Sequence, residues 1–309
     1  MKKFNLLDPS DTSEYVYFGI AIYLVRIVNA NLHLNNILEL KINVDGMTPF
    51  KSSPVNFWPI LGLIHHQFAT YKPFVIAAYF GKGKPFSFDS YTEDFIAELN
   101  HLLKHGITIK GRKFEVRVKC FCCEKPARSF LKRVVNHGAY YACERCWVAG
   151  FQYMGRTVYP LRGCEARTEL SFMNKEEGDH HDGTSPLLKL RDEDDKPPEL
   201  IKLFVQEFMH AGYLGNIKKL MTEQWFSEDN ILTREKKTKV NNRLLNLVGQ
   251  IPSELGRIIR ELSNLGLWKA KEYRLMLLYI GSLVLKDVLT DEEYAHFLLL
   301  HTACRILNQ

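Results

Sequence analysis

The chain has 309 residues, of which 46% are hydrophobic and 25% charged, with a formal net charge of +6 and a pI near 8.8. That length can bury a sizeable core, and that balance is ordinary for a globular protein. Mild basicity permits a polyanionic partner without requiring one. The longest apolar run, Leu275 to Leu285, is too short for a membrane span and carries Tyr279. The N-terminus meets Asp8 and Asp11 before any apolar block, which argues against a secretory leader. Among the seven cysteines, three crowd into Cys120, Cys122 and Cys123, and two form Cys143-Glu144-Arg145-Cys146. This pattern points to thiolate ligands more than to a disulfide framework.

Taken in order, residues 14–38 show apolar positions at helical spacing (Tyr17, Ile20, Ala21, Leu24, Val25, Val28) and predict a helix. Leu40, Ile42 and Val44 alternate as a first strand, which ends on Asp45-Gly46. Asp45 either starts a turn or holds a divalent metal at the mouth of a buried strand. Two prolines mark 47–54 as a loop. Residues 56–65 read as a second strand with Pro59 near its start or at an edge. Pro73 to Phe80 reads as a third strand, apolar enough to be buried on both faces. Gly81-Lys82-Gly83-Lys84-Pro85 is a turn and lacks phosphate-loop spacing. An amphipathic helix follows over 91–105, then an alternating strand from Lys113 to Cys122, then Glu124 and a helix starting at Pro126. If the first and fourth strands are neighbours in one mixed sheet, Asp45 and Glu124 sit side by side at its rim. That is a ribonuclease H-like arrangement, able to hold two Mg²⁺ for phosphodiester chemistry.

From 140 the texture changes. Cys143 and Cys146 stand among Tyr140, Tyr141 and Trp147. Residues 174–199 are acidic and polar and predict a loop or linker. From 199 to 309 the pattern is helical throughout, and Thr290-Asp291-Glu292-Glu293 is a capping box opening the last helix. The resulting division is a core over 1–135, a cysteine-bearing segment and acidic linker over 136–198, and a helical region over 199–309.

Several blocks in this order resemble the CACTA (En/Spm-like) transposases: Val44-Asp45-Gly46-Met47-Thr48-Pro49-Phe50-Lys51-Ser52-Ser53, Phe57-Trp58-Pro59-Ile60, Cys143-Glu144-Arg145-Cys146, Gly155-Arg156-Thr157-Val158-Tyr159-Pro160, Asp179-His180-His181-Asp182-Gly183-Thr184-Ser185-Pro186-Leu187, and Leu285-Lys286-Asp287-Val288-Leu289 onward to His301. The resemblance implies an α/β, ribonuclease H-like mixed sheet with a zinc-linked, mostly helical insertion. It implies Asp45 as the first catalytic acid of a DDE set and Glu124 as the second, where the family usually has aspartate. Glu207-Phe208-Met209-His210 matches the family's acid-x2-His string, again with glutamate for aspartate; helical spacing puts Glu207 and His210 on one face. Cys143, Cys146, His296 and His301 resemble the split zinc site shared with the vertebrate V(D)J recombinase, with His180 and His181 as rival ligands. Both ligand spacings suit tetrahedral zinc, although residues five apart on a straight helix point roughly 140° from each other.

The implied activity is DNA strand cleavage and transfer at transposon ends, in the nucleus, with DNA and a second copy of the chain as partners. The family's third acid follows the last histidine, and none of Glu261, Glu272, Glu292 or Glu293 matches its position. The expectation is therefore a chain truncated before that acid, with impaired or absent activity. The alternative is a non-catalytic, zinc-stabilised remnant that binds DNA or protein. Lys125, Arg128, Lys132, Arg133 and the run Arg234 to Lys239 are read as solvated helix faces rather than phosphate ligands.

Overall fold

A computed structural model describes residues 13–49, 52, 54–68, 71–85, 87–159, 164–227, 234–255 and 259–307. Asp8 and Asp11, Phe50, Lys51 and Ser53 of the first resemblance block, and Pro160 of the fourth lie outside the described residues. The chain forms two compact units, Met1–Gln206 and Glu207–Gln309. No helix among the described residues is long and apolar enough to cross a membrane.

The first unit is a mixed α/β domain built on a seven-stranded sheet. Its strands are β1 (Glu14–Tyr17), β2 (Ile37–Val44), β3 (Val55–His65), β4 (Phe74–Lys82), β5 (Ile107–Ile109), β6 (Arg112–Cys123) and, after a separate hairpin of β7 (Phe151–Tyr153) and β8 (Arg156–Val158), β9 (Phe204–Gln206). The order is β1-β4-β3-β2-β6-β5, with β9 also paired to β6. Strands β2, β3 and β4 form an antiparallel meander, while β6 runs parallel to β2 and β9 parallel to β6. The prediction that the first and fourth strands are neighbours therefore holds.

Three expectations change. The helix over 14–38 begins as strand β1, because Glu14–Tyr17 pairs antiparallel with β4 and buries Tyr15; the helix itself, α1, is Ala21–Ile27. Strand β4 is not buried on both faces: Phe74, Ile76 and Tyr79 point inward, while Phe80 is 41% exposed. The helical reading from 199 misses β9, a short strand that follows the helical turn Leu200–Leu203 and puts Phe204 against Phe121 with stacked rings. Pro59 falls inside β3, in the gap of the β2–β3 ladder between Val44↔Ile60 and the Met47↔Phe57 bridge. A residue without an N–H fits a break in the ladder.

Helix α2 (Phe88–His105) is capped by Ser87, which accepts from Ser90 N at 3.2 Å, and packs Phe95, Ile96, Leu99 and Leu102 into the core. It ends at Gly106, whose φ of +67° suits glycine. Helix α3 (Lys125–Lys132) carries Pro126 in its first turn. Phe130 on α3 packs against Trp58, Phe88 and Tyr91, which joins α3 to β3 and α2. Two short helices, α4 (Glu169–Asn174) and α5 (Leu200–Leu203), flank the acidic stretch. That 174–199 stretch is only partly the expected linker. His180, Leu187 and Leu190 are buried in it, while Asp192 to Asp195 form an exposed turn.

The second unit has its own core, with Trp225, Val240, Leu244, Trp268, Tyr273, Met276 and Phe297 buried together. Its elements are wide-turned helical stretches at Met209–Ile217 and Leu220–Trp225, then α6 (Arg234–Leu247), α7 (Ala270–Leu275), α8 (Gly281–Val284) and α9 (Asp291–Leu307). The expected capping box opens α9: Glu293 N donates to Thr290 Oγ1 at 3.2 Å, and Thr290 N to Glu293 Oε2 at 3.0 Å.

Gly46 matters for a reason other than turning. Its φ is not positive, yet a Cβ there would run into the buried Trp58 indole. Gly46→Ala is expected to destabilise the chain by about 1–3 kcal/mol through overpacking, read as a lower urea midpoint with an unchanged m-value.

Candidate functional site

The parallel β2–β6 pair positions the two candidate acids. Its register runs Leu40↔Val118, then Lys41↔Cys120 and Ile42↔Phe121, so β6 carries one extra residue, a bulge at Lys119. Beyond it the strands stay aligned: Asn43 Nδ2 donates to Cys122 O at 2.5 Å, and Val44 N to Cys123 Sγ at 3.3 Å. One further step sets Asp45 beside Glu124, on strands spaced about 4.8 Å apart. Alternation puts both on the face opposite the buried Val44 and Cys123. Both acids are partly exposed at the carboxyl-terminal edge of the sheet, and Glu124 is the residue at which α3 begins. Two carboxylates so placed are a fitting donor set for Mg²⁺.

Cys143 and Cys146 form a tight thiol pair with sulfurs 3.3 Å apart. Burial alone would raise Cys143, but the backbone N–H groups of Arg145 and Cys146, the Cys146 thiol and Arg167 bring it below the ordinary thiol range. Cys146 is raised, by burial first and then by the charge of Cys143, although the Val148 N–H works against this. Backbone N–H groups directed at both sulfurs suit a thiolate knuckle for a soft metal. Arg167 ties the knuckle down: Nε donates to Cys143 O at 2.9 Å, and Nη2 pairs with Glu177 at 2.6 Å. The other three crowded thiols, Cys120, Cys122 and Cys123, lie in β6. Cys120 and Cys123 are buried, and burial pushes Cys123 up to about 12.

The remaining candidates lie as follows. Glu207 Oε2 accepts from His210 Nδ1 at 2.6 Å and from its backbone N at 2.8 Å, and Oε1 accepts from Met209 N at 2.7 Å. This string is a helix-start clamp, with the expected Glu207–His210 bond formed. On α9, His296 is exposed, and His301 Nδ1 donates to Leu277 O at 2.6 Å, which leaves its Nε2 as the lone-pair nitrogen. A carbonyl holding the second ring nitrogen is how metal-binding histidines are commonly oriented. Helix α9 runs unbroken through both histidines. Of the rival ligands, His180 donates Nδ1 to Tyr141 O at 2.6 Å, and its buried Nε2 has no partner among the described residues. No group of three or more His, Cys, Asp or Glu among the described residues is arranged to hold a metal.

One hub escapes the sequence reading. Glu144, inside the Cys-x2-Cys string, accepts from Lys125 Nζ at 2.7 Å, Arg128 Nε at 3.2 Å and Lys132 Nζ at 3.1 Å. Burial would raise its carboxyl, but Lys132, Lys125 and Arg128 together hold it at about 2. Lys132 is 1% exposed, and burial draws its ammonium down against the pull of Glu144. These cations are therefore not the solvated helix face expected. The available signal was their spacing, which lines all three along one side of α3. No protein-family model matches the chain, and no curated protein matches it.

Buried histidines set an acid limit. Burial first, and then Arg167, pull both His180 and His181 down from 6.5 to about 4. The unfolded chain binds these protons first, so stability is full above about pH 6.5 and falls as pH drops towards 4. Glu144 adds a second loss from 4.5 down to about 2. Thermal melts across pH should show the decline starting near the upper limit; a flat melting temperature between pH 7 and 4.5 would contradict this assignment.

Proposed function

We propose that this chain is a ribonuclease H-like, transposase-derived protein of the CACTA type, with an ancestral activity of DNA strand cleavage and transfer. The supporting observation is the parallel β2–β6 pairing that brings Asp45 and Glu124 to neighbouring positions at one sheet edge. The strand arrangement agrees: an antiparallel meander, a parallel strand beside its first member, a second parallel strand outside that, then a separate helical unit. Asp45 and Glu124 supply two of the family's three acids. A bound Mg²⁺ pair would activate water or a 3′-hydroxyl and stabilise the leaving oxygen. The chain's own residues fix where that pair sits. Glutamate in place of aspartate moves the second carboxylate outward by roughly an ångström, a misplacement that can cost about a hundredfold in rate. Activity is accordingly low or absent, in a nuclear, DNA-bound protein.

The expected test is strand cleavage or transfer on a short DNA duplex with Mn²⁺. Asp45→Ala abolishes it, and Glu124→Asp raises it by up to about a hundredfold. A soluble, folded chain that cuts no DNA in either the wild-type or the Glu124→Asp form would count against an enzyme and favour a binding remnant.

Zinc belongs to the same reading. Cys143 and Cys146 supply two sulfur ligands. Metal analysis of the purified chain should find close to one zinc per molecule, with loss on Cys143→Ser and on Cys146→Ser. A folded wild-type chain free of zinc removes the metal from the proposal and leaves the acid pair untouched.

A further inference from the structure

The Glu144 hub borders a cavity of about 180 Å³ lined by Lys125, Arg128, Glu144, Arg145, Phe204 and Gln206, among others. Its place in the fold is specific. Lys125 directly follows Glu124, and Gln206 is the ladder partner of Cys123, the residue before Glu124. The cavity is therefore lined by neighbours of Glu124 in the chain and in the ladder, although neither acid lines it. Its charge is one-sided: Lys125, Arg128 and Lys132 share the single carboxylate of Glu144, and Arg145 adds a fourth cation.

Donor capacity also remains. Lys125 Nζ donates to Glu144 and to Ala142 O at 3.0 Å, using two of its three hydrogens. Arg128 donates Nε to Glu144 and Nη1 to Cys123 O at 3.5 Å, and its Nη2 has no hydrogen bond among the described residues. Arg145 is occupied by Ile201 O at 2.5 Å and Phe204 O at 2.6 Å, which makes it a wall rather than a ligand. A purely structural ion-pair network does not require three cations for one carboxylate; the surplus suits an anion.

We propose that this pocket binds a backbone phosphate of the nucleic-acid strand presented to Asp45 and Glu124, with Lys125 and Arg128 as its ligands. Glu144 keeps the cations together against their mutual repulsion. The proposal rests on the reading of the acid pair as a DNA-cutting site, and it names how the strand is gripped there.

The experiment titrates the full chain against a fluorescently labelled short duplex across a chloride series. Arg128→Gln and Lys125→Gln should each weaken binding and lower the slope of log K against log salt by about one. Lys125→Arg keeps the charge and the wild-type slope. If the Gln variants melt like wild type and keep its affinity and slope, the pocket does not hold phosphate. The two readings fail separately. Cleavage that needs Asp45 but is indifferent to both cations overturns the pocket alone. A reduced slope in the Gln variants without any cleavage overturns the enzyme and keeps the pocket.

Discussion

The parallel pairing of β2 with β6 is the constraint on which the candidate site depends. These strands are distant in sequence, joined through the rest of the meander and α2, so no local turn sets their register. The bulge at Lys119 does. Before it, Phe114 and Val116 face the core; after it, Phe121 and Cys123 do. Without the extra residue Asp45 would stand beside Cys123, a buried thiol, and the two acids would fall on opposite faces. The bulge thus corrects both alignment and face in one step. Asn43, which reaches across to Cys122 O, and Val44, whose N–H donates to Cys123 Sγ, fasten the last two steps before the acids.

A second tie holds the segment after β6. Helix α3 is only eight residues long, too short to be stable alone. Phe130 anchors one side of it to Trp58 and Phe88. Lys125, Arg128 and Lys132 anchor the other side to Glu144, which belongs to the thiol knuckle. Arg145, the next residue, binds carbonyls at Ile201 and Phe204 and so secures β9. The short Cys143–Cys146 string therefore performs two jobs. Its cysteines form a close thiol pair, and the two residues between them lock α3 and β9 to the sheet edge. Removing the knuckle would loosen the positions of Glu124 and Gln206 even if no metal were involved.

Much of this was legible in the sequence, for physical reasons. The alternation of Leu40, Ile42 and Val44 is the period of a half-buried strand, and the Thr290 capping box opens the last helix. The pairing of Asp45 with Glu124 followed from two strands ending in acids. The features that stayed hidden depend on tertiary partners. Glu14–Tyr17 has helical spacing with the residues after it and becomes a strand because β4 offers an open edge. Phe204–Gln206 is too short to carry a period and is a strand because β6 templates it. Glu144 lies in a string whose cysteines attract attention, and its role depends on three cations 12 to 19 residues away.

Charge links the two halves of the first unit's site. Asp45 and Glu124 make one side of the sheet edge acidic, a setting that suits divalent cations and repels a phosphodiester. One residue along, Lys125 and Arg128 make the adjoining pocket basic, which attracts the same phosphodiester. Lys125 and Arg128 both engage Glu144. Its carboxyl, held at about 2, stays ionised at any pH where the protein works. Glu144 shares one negative charge among three cations, so that they remain net positive. The acidic edge and the basic pocket thus meet at consecutive residues, Glu124 and Lys125, and the pocket's cations are gathered on one carboxylate.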